Sequence, residues 1–187
     1  MEHLGVMHWL QRRANGDGTS QPRAMSHLGP MGQGVTVEVV GAQGARVVQM
    51  ETNGRRVSDL VNQGDELSVT GAPGPHQRSE ATIESLDLDD ALILVPPPQA
   101  GDPRHRLHRP GHPVRIVVGP YEIVGDAHTP PGTQAVGFLV RVWPRFVPLT
   151  SARVRLAANP EFSWRVPVAI VNLAKADLLR DAVVGDA

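Results

Sequence analysis

Glycine and proline interrupt this chain so often that no long helix fits anywhere in it. They number 19 and 17 among 187 residues. Inside a helix each is unfavourable, glycine by about 1 and proline by about 3 kcal/mol relative to alanine. Between the interruptions lie short valine-rich runs that alternate at period two, the pattern of half-buried strands. Val35-Thr-Val-Glu-Val-Val40 and Arg46-Val-Val-Gln-Met-Glu-Thr52 flank a turn at Gly41 to Gly44 and predict a hairpin. Val57, Leu60 and Val61 share a helical face within Arg55 to Asn62, so one short helix follows. Leu67 to Thr70, Ala81 to Leu86 and Ala91 to Val95 are three further strands, the last stopped by Pro96-Pro97-Pro98.

The same order recurs further on. Val114 to Val118 and Tyr121 to His128 predict a hairpin closed by Gly119-Pro120, and Ala135 to Val142 a short helix ended by Pro144. Arg145 to Leu149, Ala152 to Leu156 and Val166 to Val171 read as strands, and Lys175 to Val184 closes the chain. Gly54 to Ala72 aligns with Gly132 to Ala152, setting Leu60 on Phe138 and Leu67 on Phe146. Asp87 to Leu94 aligns with Asn172 to Leu179. The expected fold is mainly β with short helices, in two related small antiparallel barrel-like or rolled β units packed together. Units of this size bury too little surface to stand well alone. The expected division is a flexible tail over 1–34, a first β unit over 35–98, a Pro/His/Arg-rich linker over 99–113 and a second β unit over 114–187.

Two stretches carry a resemblance. Gly54-Arg-Arg-Val-Ser-Asp-Leu-Val-Asn62, with Phe146-Val-Pro-Leu-Thr-Ser-Ala152 and Val168-Ala-Ile-Val-Asn172, resembles an uncharacterised bacterial domain family. That family carries a glycine-arginine-x-serine-aspartate-x-x-asparagine stretch and then an aromatic-x-proline-leucine-threonine-x-alanine stretch. Each half keeps a different part of the pattern. Gln134, Val136, Gly137 and Val140 stand where Arg56, Ser58, Asp59 and Asn62 would be repeated. The resemblance implies bacterial origin and a small β domain, and brings no activity with it.

Composition and motifs narrow the function. No apolar run approaches the roughly 20 residues of a spanning helix, and the expected location is the cytoplasm. Cysteine is absent, which removes disulfides, thiolate nucleophiles and cysteine-ligated metals. Eighteen basic and nineteen acidic side chains give a net charge of -1, an argument against nucleic acid as partner that leaves local patches open. The basic residues are almost all arginine, Lys175 being the one lysine. Arginine suits bidentate anion contacts, though a GC-rich genome produces the same bias.

No nucleophile elbow, zinc-protease helix, phosphate loop or dinucleotide fingerprint is present. The expectation is therefore a protein that is not an enzyme and uses no cofactor. It would be a binding or scaffold module for a protein partner or small ligand, with single-stranded nucleic acid as the alternative. His105, His108 and His112 have metal-like spacing, but Pro110 and Gly111 break their helix and neighbouring arginines repel a cation, so no metal is expected. The candidate ligand- or partner-binding residues are Arg55, Arg56, Ser58, Asp59, Asn62, Trp143 and Arg145. The first five have a second reading, in which Ser58 caps the helix, Asp59 favours its positive end, and Asn62 with Gly64 closes it in a left-handed turn. Trp143 likewise serves either as a stacking surface beside Arg145 or as core. Residues 4–13 form an amphipathic segment suited to docking or to weak membrane-surface contact.

Overall fold

The computed structural model describes residues 34–42, 44–71, 83–98, 109–142 and 145–182. Strands make up 63% of them and helix 13%, the mainly β balance that the dense glycine and proline predict. The first half runs β1 (Gly34–Gly41), β2 (Gly44–Glu51), α1 (Val57–Val61), β3 (Glu66–Gly71), β4 (Ile83–Asp87) and β5 (Ala91–Val95). The second runs β6 (Gly111–Val118), β7 (Tyr121–His128), α2 (Ala135–Val142), β8 (Phe146–Leu156), β9 (Asn159–Asn172), a short 3-10 turn at Leu173–Lys175, and β10 (Ala176–Asp181). Among the described residues no helix is long and apolar enough to cross a membrane.

All ten strands lie in one open antiparallel sheet, in the order β10-β6-β7-β8-β9-β5-β1-β2-β3-β4. Each half thus follows the same order, its fifth strand beside its first and its fourth at the far side. The halves join edge to edge, β5 against β9, with Ile93 opposite Val171 and Leu94 opposite Ile170. Matching details recur at matching places. Gly54 and Gly132, each just before a helix, have φ of 78° and 75°. Asp87 Oδ1 accepts the Asp89 amide and Asn172 Oδ1 accepts the Ala174 amide, the same two-residue turn after β4 and after β9.

The junction strands are buried on both faces, which explains why Ala91-Leu-Ile-Leu-Val95 is apolar without alternation. One core holds Ile116, Tyr121, Ile123, Leu139, Leu149 and Val154 of the second half and borrows Val40, Leu92 and Ile93 from the first. The other holds Val37, Met50, Val61, Leu86 and Leu94 of the first half and borrows Phe146 and Ile170 from the second. Phe146 and Val147, adjacent in β8, fall into different cores, so the cores lie on opposite faces of the sheet. The outer edges are guarded differently. β4 is short and carries Glu84 and Asp87, and β10 carries Asp177, Arg180 and Asp181, charges that discourage edge pairing.

Several expectations need correction. Arg145 to Leu149 and Ala152 to Leu156 are not two strands but one, β8, which continues through Ser151 at φ 51°. Pro148 is tolerated in it because the β7 ladder ends at Asp126 opposite Thr150, so its missing N–H costs no bond there. β9 is more than twice the length expected, reaching back to Asn159. β6 begins at Gly111, so the last residues of the expected linker are strand, His112 among them. The tail over 1–33, its segment 4–13, His105, His108 and Trp143 lie outside the described residues.

Candidate functional site

The polar residues picked out around α1 do come together, at the seam between the halves. Asn62 follows α1 and its side chain works as an adaptor. Nδ2 donates to Ser58 O and to Phe146 O, both at 2.8 Å, and Oδ1 accepts the Phe146 amide at 2.8 Å. One side chain therefore satisfies both backbone groups of a buried residue in the other half. From the opposite direction Asn172, fully buried at the end of β9, donates from Nδ2 to Ala91 O at 2.9 Å and to Leu88 O at 3.5 Å. Arg145 lies over the Phe146 ring, 5.3 Å from its centre, with Nη1 on Asp65 at 2.9 Å and Nη2 on Asp89.

This geometry overturns the capping assignments. Ser58 does not cap α1. Arg56 stands at the N-cap position with no side-chain bond there among the described residues, and Ser58 is buried within the helix, its Oγ 3.5 Å from Asp59 Oδ1. Asn62 does not close a left-handed turn, since its φ is -93°; the left-handed residues are Asn53 and Gly54, before the helix. The side chain that would have capped locally is used at long range instead. Asp59 does occupy the first turn, where its charge favours the helix dipole. Arg55 and Arg56 are exposed. Phe146 is fully buried and Phe138 and Trp164 pack partly buried against the core.

The seam thus uses Asn62, Phe146 and Asn172, and Asn62 has no counterpart in the second half. Val140 occupies the place of Asn62 but is 64% exposed, with no neighbouring half for an amide to clamp. A pocket of about 480 Å³ sits at the root of the β1–β2 hairpin, lined by Val39, Gly41, Arg46, Leu86, Asp90 and Ala91 among others. Its two charges, Arg46 and Asp90, have opposite sign and favour neither an anion nor a cation.

A second polar surface was missed by the motif reading. In the second half Val114, Ile116, Ile123, Val154, Trp164 and Leu179 face the core, so their strand neighbours face outward. The registers align those neighbours across the sheet. Arg180 is opposite Arg115, Arg115 opposite Val124, Val124 opposite Arg153, and Arg153 opposite Arg165. Five strands therefore present four arginines in one row about 19 Å long. Val124, only 8% exposed and part of neither core, is covered at its centre. The next row adds Arg155 beside Glu122, whose Oε1 takes Arg115 Nε at 2.9 Å and Arg155 Nη2 at 2.7 Å. Among the described residues Arg153 Nη2 has only a 3.4 Å contact to Ser163 Oγ. Arg165 and Arg180 are exposed and have no ion-pair partner among the described residues.

A signal for this face was available in the sequence. Residues 35–98 hold four basic and ten acidic side chains, net -6, whereas residues 99–187 hold eleven and seven, net +4. The near-neutral total conceals that split. Comparison of the chain with known protein families, curated proteins and solved structures returns no match.

Proposed function

We propose that this protein is a non-enzymatic binding module whose working surface is the outer face of β10-β6-β7-β8-β9 and whose partner is anionic. The observation that carries this reading is the arginine row. One of its neighbouring pairs, Arg153 with Arg165, sets like charges directly opposite each other across β8 and β9, with no carboxylate bonded to either among the described residues. Such pairs destabilise a sheet unless an anion lies between them. Glu122 compensates Arg115 and Arg155 and reaches no further along the row. The non-enzymatic half of the reading is supported by the use of Asn62, Ser58 and Arg145 in the seam, where they hold backbone and aromatic groups in place.

Retention of the full-length chain on an immobilised sulfated polysaccharide tests this. The expected result is binding near physiological salt, elution as salt rises, and loss of binding in the Arg153→Glu/Arg165→Glu variant. Passage straight through the column, or unchanged retention of that variant, would overturn the reading.

A further inference from the structure

We propose that copies of this chain join head to tail, the β10 edge of one pairing with the β4 edge of the next in the register that joins β5 to β9 within the chain. The contact lies at the sheet edges and goes beyond the anion-binding reading above. Arg180 belongs to both surfaces.

The two free edges are the counterparts of the two strands that already pair. β5 lies beside β1 as β10 lies beside β6, and β9 lies beside β8 as β4 lies beside β3. The registers repeat down to their irregularity. Ala91, Ile93 and Leu94 stand opposite Gly41, Val40 and Val39, and Ala176, Leu178 and Leu179 stand opposite Val118, Val117 and Ile116. Leu92 and Asp177 are thus the same skipped residue. β4 and β9 end alike as well, in Asp87 and Asn172, each accepting the amide two residues on. Within the chain β5 and β9 close on each other, whereas β10 and β4 each pair with one strand among the described residues. Each leaves a row of backbone donors and acceptors open.

The internal joint sets Ile93 opposite Val171 and Leu94 opposite Ile170. Carried to the free edges, that register sets Leu178 opposite Leu86 of the next copy and Leu179 opposite its Ser85. One step further Arg180 meets Glu84. Asp177 stays out of the ladder, as Leu92 has a partner in neither β1 nor β9.

These pairs match in chemistry. Five large hydrophobic residues are exposed among the described residues, and two stand one on each edge, Leu178 at 41% and Ile83 at 77%. The joint would bring Leu178 against Leu86, a member of the first-half core, and Ile83 diagonal to Leu179 on the other face. Arg180 has no ion-pair partner among the described residues, and Glu84 has Arg46 at 3.8 Å. Glu84 and Asp87 discourage β4 from meeting another β4, while Arg180 gives one of them an opposite charge on β10. The wider balance agrees, since the acidic first half of one copy would follow the basic second half of another. Two unlike surfaces make a heterologous contact, which closes into a ring where the rotation between copies allows and otherwise extends as a filament.

Analytical ultracentrifugation of the full-length chain, from micromolar to millimolar protein, tests this. The mass should rise with concentration above the 20.1 kDa of one chain. Arg180→Glu and Glu84→Arg each set like charges across the joint, and each should raise the dissociation constant by about tenfold. Mixed in equal amounts, the two variants regain opposite charges wherever unlike chains meet and should associate more tightly than either alone. Far-UV circular dichroism checks that each variant is folded. A single-chain mass for the wild type at every concentration would overturn the proposal, whatever the variants do. Wild-type assembly that either variant leaves unchanged would overturn it too, because like edges or another surface would then hold the copies together. A mixture no more associated than its components would count equally against it.

Discussion

The side-chain amide of Asn62 bonds both backbone groups of Phe146, 84 residues away, donating to its carbonyl and accepting from its amide at 2.8 Å each. Functionally it is a rung of β-ladder supplied by a side chain, and it ties α1 of the first half to the start of β8 in the second. Replacing Asn62 with alanine removes both bonds and the third to Ser58 O, leaving buried backbone groups unpaired. The expected loss is about 2 to 4 kcal/mol, read as a lower urea midpoint. Asn62→Asp keeps the acceptor for the Phe146 amide but sets a carboxylate oxygen against the Ser58 and Phe146 carbonyls, so its loss should be at least as large as that of alanine. A change below about 0.5 kcal/mol in Asn62→Ala would show that the seam is held by the shared cores alone.

Gly125 predicts a second sensitive point. It lies in β7 at the irregularity between Val124 and Asp126, opposite the segment of β8 that carries Ser151. A Cβ there would sit 3.1 Å from Leu149 Cβ, 3.1 Å from Thr150 O and 3.2 Å from Ala152 Cα. These neighbours are backbone or backbone-proximal atoms in a paired strand, so they cannot move aside cheaply. Gly125→Ala should cost about 1 to 3 kcal/mol by thermal or denaturant unfolding. Gly137→Ala, in α2 with open space around its Cβ position, should be neutral or stabilising in the same assay.

Tyr121 predicts a dependence on alkaline pH. Its ring is fully buried and meets Trp164 edge-on at 6.2 Å, while its hydroxyl has no hydrogen-bond partner among the described residues. Burial pushes its pKa from 10.0 up to about 12. Between those values the folded protein keeps a proton that the unfolded chain has lost, so stability present below pH 10 declines as pH rises through 12. The slope contributed by this one group is at most about 1.4 kcal/mol per pH unit. Tyr121→Phe should flatten the unfolding midpoint against pH over that range and should not destabilise at pH 7, because it removes an unpaired buried hydroxyl. Equal alkaline slopes for the two proteins would contradict this account.

The opposed arginines predict a stability effect independent of any ligand. Removing one charge from the Arg153 and Arg165 pair relieves repulsion across β8 and β9. Arg165→Ala should therefore be more stable than wild type at low ionic strength, by about 0.2 to 1 kcal/mol, with the difference vanishing in high salt. Thermal unfolding at two salt concentrations measures it. Destabilisation by Arg165→Ala at low salt would mean that the aliphatic stem matters more than the charge.

The elements of this protein were legible where the signal is local. Period-two runs gave β1 and β7 nearly to the residue and β2 to within two, and α2 was bounded correctly because Gly132 and Pro144 punctuate the chain on either side of it. The repeated strand order could be read for the same reason. What the sequence could not report was anything that depends on register between distant strands. β8 was underestimated because the left-handed Ser151 lets a ladder run on past what reads as a break, and β9 because its first residues are strand only through pairing with the end of β8. Asn62 looked like a terminator of its own helix, since its carbonyl and amide partners at Phe146 are brought near only when β5 meets β9. Arg115 and Arg153 were visible as polar positions in their own strands, whereas Arg165 and Arg180 lay outside the expected ones. Their alignment was decided by hairpin lengths and bulges, which set which residue stands opposite which. Local backbone preference is a property of neighbours along the chain, whereas a seam and a charged row exist only between strands, where tertiary packing chooses the partners.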